Sequence, residues 1–140
     1  MSKDQSVYEM VTDTVIPKEW DSYLQHKEKL VGCANSNTDI KGELMGSWSI
    51  VTGDAAFKAF HLYKYEQVWK QRLTKCLTCY CKGWTDIDST RAAIKLDSDY
   101  QALYTAGLPS IREQISELTK AFSFWPSPDQ REGGNVYDIR

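Results

Sequence analysis

Three cysteines crowd into six residues, Cys76-x-x-Cys79-x-Cys81. Thiolates are zinc ligands, and a closed structural zinc site needs four of them or a mixture with histidine. Cys33 is the one thiol left, and His26 and His61 are the only histidines. None of these stands at a familiar spacing from the cluster, so chance composition of a loop is the simpler reading of it. A redox Cys-x-x-Cys is the other chemical reading, but neither a strand nor an acid leads into it.

His61 is the second candidate. It falls in an alternating run in which Phe57, Ala59, His61, Tyr63 and Tyr65 share one face. A histidine turned into a pocket there has the right chemistry for a general acid or base near neutral pH. The plainer reading is a buried, hydrogen-bonded core histidine. No Gly-x-Ser-x-Gly, His-Glu-x-x-His, phosphate loop or paired carboxylate stands above background. The residues therefore imply no cofactor.

The elements that must position these residues follow from the apolar pattern. Residues 6–16 read as a strand, with Val7, Val11 and Val15 on one face and Pro17 as its stop. Pro17 also suits the first turn of a helix. Trp20, Tyr23, Leu24, Lys27, Leu30 and Val31 then recur at helical spacing up to Gly32, an expected stop. Residues 43–51 and 57–65 read as two strands joined by a short turn at Thr52-Gly53-Asp54. Residues 86–95 read as a helix capped by Asp88 or Ser89, and residues 97–106 repeat the pattern, with Tyr100, Leu103 and Tyr104 as the stripe, up to Gly107. Residues 115–125 read as a fourth strand in their second half, with Phe122 and Phe124 alternating against Trp125. The order β-α-β-β-α-β is that of an α+β, ferredoxin-like fold. Helices cover one face of such a sheet. The other face must pair with something, and Trp48, Tyr63, Phe122, Phe124 and Trp125 are the expected pairing aromatics.

Composition narrows the functional classes. Seventeen basic against nineteen acidic residues leave a net charge of −2, which gives no footprint for nucleic acid. No apolar run approaches the roughly 20 residues that span a bilayer. The first residues lack both a secretory apolar core and the Arg-rich, acid-poor character of a transit peptide, so a cytoplasmic location with reduced thiols is one expectation.

Ser6-Val7-Tyr8-Glu9-Met10 is echoed by Asn135-Val136-Tyr137-Asp138-Ile139, behind Pro126, Pro128 and Gly133-Gly134. The echo suggests a tandem duplication cut at the start of its second unit. The expected organisation is thus a domain over residues 1–126, followed by a linker and the first strand of a second repeat over 127–140.

Four ordered stretches carry a family resemblance: Glu43-Leu-Met-Gly-Ser-Trp-Ser-Ile50, Ala59-Phe-His-Leu-Tyr-Lys-Tyr-Glu66, Ala121-Phe-Ser-Phe-Trp125 and Gly134-Asn-Val-Tyr-Asp-Ile-Arg140. They resemble the stretches LVGTWNT, AVHLWRYE, EFSFW and GPNIYELR of the NIPSNAP family, in the same order. The chain is similar to the N-terminal half of those proteins. Residues 67–82 depart from the pattern: they hold the cysteine cluster and Lys70, Arg72, Lys75 and Lys82, and they contain no acid. They read as a loop insertion, with translated intron sequence as one origin.

The resemblance implies half of a dimeric α+β barrel, in which two sheets pack face to face. The partner would be a second copy or a second NIPSNAP half. It further implies a mitochondrion-associated, non-enzymatic interaction module that binds autophagy or trafficking adaptors in vesicle traffic or mitochondrial quality control. The alternative is a small enzyme or ligand carrier with a pocket inside the paired barrel, using His61 as acid and base.

Overall fold

The structure, a computed structural model, describes residues 6–50, 57–65 and 82–120. Strand β1 (Val7–Val15) leads through a 3-10 turn at Pro17–Glu19 into helix α1 (Trp20–Ser36). Strands β2 (Glu43–Ser49) and β3 (Lys58–Tyr65) follow, then helices α2 (Lys82–Leu96) and α3 (Ser98–Gly107). A 3-10 turn at Leu108–Ser110 delivers strand β4 (Ile111–Lys120). The sheet order is β2-β3-β1-β4, and every pairing is antiparallel. This is the α+β, ferredoxin-like arrangement that the element order implies.

The Val- and Thr-rich β1 takes the central position, where β-branched side chains pack on both neighbours. Its register sets Val11 opposite His61 on β3 and opposite Ser116 on β4. Glu9, Val11, Asp13 and Val15 thereby share a face with Ala59, His61, Tyr63 and Tyr65, and the helices cover this face. The core has two clusters there. Val7, Tyr65 and Ile87 pack with Tyr63 and Leu118, and Val15, Tyr23 and Ala59 pack with Trp20 and Ile111.

The opposite face carries Tyr8, which is buried, Met10, Phe60, Leu62 and Trp48, all half-buried, and Ile115, which is 46% exposed. No described helix covers it. An irregularity between Leu44 and Gly46 sets Leu44 opposite Tyr63 but Gly46 opposite Leu62. A bulge of this kind re-aims the side chains that follow it, which turns Trp48 toward the face opposite the helices. A Cβ at Gly46 would stand 2.5 Å from the Trp48 ring, so this close approach requires glycine.

Several boundaries differ from the sequence reading. Helix α1 runs through Gly32 to Ser36, because Gly32 sits at the exposed surface and a glycine inside a helix costs only about 1 kcal/mol. The chain stops instead where Asn37 turns extended. Helix α2 begins at Lys82, so Asp88 and Ser89 lie inside it and cap nothing; the Ser89 hydroxyl donates to the Asp86 carbonyl. The true cap is Asp97 on α3, whose carboxylate accepts from the Tyr100 amide at 2.9 Å and from Asn37 at 2.7 Å. Strand β4 starts four residues before Ile115. The turn at 52–54, most of the 67–82 segment and the 127–140 repeat lie outside the described residues.

Candidate functional site

His61 comes from β3 with 3% of its surface exposed, and it sits beneath α1. Its Nε2 lies 2.7 Å from the Tyr23 hydroxyl and 3.3 Å from Asp13 Oδ2. Its Nδ1 lies 2.7 Å from the Ser47 hydroxyl on β2. Asp13, fully buried on β1, organises the cluster. Its Oδ2 accepts from Tyr23 at 2.7 Å and from Lys27 at 3.1 Å, and its Oδ1 accepts from Gln114 at 2.7 Å. One carboxylate thus ties together β1, β3, β4 and α1.

The electrostatics follow from this geometry. Burial alone would raise the Asp13 carboxyl. The His61 hydrogen bond, the Lys27 charge and the bonds from Gln114 and Tyr23 outweigh it and hold Asp13 well below the usual carboxylate range. For His61, burial dominates the attraction of Asp13 and, with Lys27 close by, lowers its pKa below the ordinary 6.5. The imidazole is therefore neutral at pH 7. The Tyr23 proton goes to Asp13, so Nε2–H is shared between the Tyr23 oxygen at 2.7 Å and Asp13 Oδ2 at 3.3 Å. That assigns the tautomer: Nδ1 is the bare nitrogen, and it accepts from Ser47.

The alternative in which His61 works inside a paired barrel is corrected by this placement. His61 faces the helices, because its parity on β3 matches Ala59 and Tyr65 in the core. Tyr63 shares that parity, so it belongs between sheet and helices and not to a pairing face. Trp48 lies on the opposite face. Cys76, Cys79, Cys81, Phe122, Phe124 and Trp125 lie outside the described residues. Among the described residues Cys33 is a half-buried free thiol on α1, and no group of three His, Cys, Asp or Glu side chains could hold a metal ion.

The reading from the residues missed Asp13. Its signal was parity. An acid two residues from both Val11 and Val15 must turn inward with them, and an inward acid needs partners.

A cavity of about 380 Å³ lies beside this cluster, between the sheet and helices α1, α2 and α3. Val11, Leu44, Tyr63 and Tyr65 form part of its floor, and Lys27 and Gln114 link it to Asp13. Neither His61 nor Ser47 lines it.

No family model matches the chain. Among curated proteins, a Caenorhabditis elegans sequence carrying the NipSnap name is 29% identical over 141 residues, covering 100% of this chain and 24% of the relative. The Drosophila melanogaster protein NipSnap is 26% identical over 141 residues, covering 100% of this chain and 46% of the relative. The chain thus spans less than half the length of these relatives. Among solved structures, a NIPSNAP family protein of Agrobacterium tumefaciens shares the fold, with a TM-score of 0.69 at 13% identity over 89% of this chain and 93% of that one. Over its full length the chain is similar to NipSnap proteins, and it shares its fold with a solved NIPSNAP family protein.

Proposed function

We propose that the chain is a NipSnap-type protein-interaction module that pairs through the sheet face that no described helix covers. The observation that carries this reading is the grouping of Met10, Phe60, Leu62, Trp48 and Ile115 on one face, with the described helices on the other. Apolar side chains gathered on a sheet face that no described helix covers favour association there. The occupant is a second copy of this chain, or a second unit of the same type in a longer protein. Pairing leaves the helix layer outward, free to meet adaptor proteins. By family resemblance the setting is mitochondrion-associated, with a role in vesicle traffic or mitochondrial quality control.

Light scattering coupled to size exclusion tests the pairing. The expected result is the mass of two chains, reduced to one chain by Phe60→Glu, which places a charge at the centre of the face. A folded chain that stays monomeric at every concentration overturns the reading.

A further inference from the structure

The sheet–helix cavity has a chemistry of its own. Leu30, Val31, Ile40 and Ile94 give it aliphatic walls. Several of the polar groups that converge on it are donors. Tyr63 and Tyr100 both line it and bring phenolic hydroxyls to it. Burial, then the proximity of other negative groups, raises both phenols, Tyr100 to about 12, so both keep their protons at pH 7. Lys27 Nζ donates one bond to Asp13 and has two more donors to offer. The acid on the lining, Glu9, is already engaged by Tyr65 at 2.9 Å, by Ser116 and by Arg91 at 3.6 Å. Lys27 is balanced by Asp13 behind it and Arg91 balances Glu9, so no unpaired negative charge stands on the lining.

We infer that this cavity binds a small apolar monocarboxylate, its carboxylate taken by Tyr63, Tyr100 and Lys27 and its hydrocarbon body by the aliphatic walls. At roughly 30 Å³ per non-hydrogen atom, the volume holds about a dozen such atoms. That is the size of a ten-carbon fatty acid, and it lies within the range of small-molecule sites. The site is on the helix side of the sheet, so it stands or falls independently of pairing through the other face.

Decanoate, titrated calorimetrically into the whole chain below its micelle concentration, tests the inference. One saturable site per chain is expected. Tyr100→Phe keeps the ring and removes one donor to a charged group, which weakens binding about tenfold. Tyr63→Phe does the same. Ala34→Trp fills the cavity from α1 and abolishes binding, with circular dichroism confirming the fold. Phe60→Glu, on the opposite face, leaves the affinity unchanged. Decanol and decylamine bind at least tenfold more weakly than decanoate. Absence of saturable binding overturns the inference. So does binding that survives Ala34→Trp in a folded variant, binding lost with Phe60→Glu, or decanol and decanoate binding alike while both tyrosine variants are unaffected.

Discussion

Asp13→Asn is the sharpest probe of the buried cluster. The substitution keeps the shape and removes the charge. An asparagine carbonyl placed at the Oδ2 position still accepts from Tyr23, which otherwise lies buried at 2% exposure. Its amide then faces the Gln114 amide, donor against donor, until Gln114 rotates. Lys27, with a side chain only 15% exposed, loses its counter-charge. A bond to a charged group contributes about 1.5–3 kcal/mol and a displaced neutral bond about 1 kcal/mol, so the loss should be about 2–4 kcal/mol. For a chain of this size that lowers the thermal midpoint by about 10 °C. Urea unfolding followed by tryptophan fluorescence measures it directly. Lys27→Met should restore part of the loss in the double variant, with a coupling of about 1 kcal/mol. An Asp13→Asn loss under about 0.5 kcal/mol, or strict additivity with Lys27→Met, would refute the view that this carboxylate fastens the layers together.

The pH dependence separates His61 from Asp13. The folded state lowers the His61 pKa, so the unfolded chain binds the proton more readily and stability falls as pH drops from 6.5 toward the folded value. His61→Gln should flatten unfolding curves measured between pH 7 and 5. Asp13, also lowered, contributes fully above 3.8, and that contribution is lost as pH falls through its folded value. Phe57 holds φ at 65°, a left-handed conformation that strains a bulky side chain. Phe57→Gly and Phe57→Ala both lose the edge contact with Trp20, yet the glycine variant should be the more stable by about 1 kcal/mol in chemical denaturation. Asp97→Ala, which uncaps α3, should lower the thermal midpoint, whereas Asp97→Ser, which keeps a capping oxygen, should recover most of it.

The inner strands were legible in the sequence because β1 and β3 are rich in Val, Thr and aromatic residues, and Pro17 follows closely on the first. Strand β4 was misread by several residues because it is an edge. Arg112, Glu113 and Glu117 stand exposed along it, so no apolar period marks its start. The bulge that re-aims β2 leaves no trace beyond Gly46. The split between α2 and α3 rests on a single aspartate, Asp97, which propensity alone does not distinguish from Asp88. His61 was recognised as unusual from its neighbours, but its role depends on Asp13, Tyr23 and Ser47, which only the register brings together. Its side of the sheet was readable from parity. What could not be read was which side the helices take.

The central position of β1 also sets the order of events in synthesis. The bond between Gln114 and Asp13 joins residues 101 apart in the chain, and the one between Ser116 and Glu9 joins residues 107 apart. At roughly 5–20 residues per second, a ribosome makes Asp13 on the order of 5–20 s before its partner on β4 exists. During that interval the emerging Val- and Thr-rich strand has at least one edge unpaired, and Asp13 lacks its Gln114 donor although Lys27 is already made. Closure of the sheet is a long-range event, of the kind that slows folding toward the millisecond-to-second range. The nascent chain is therefore most exposed to chaperones, and to mispairing, through the strand that ends up best protected.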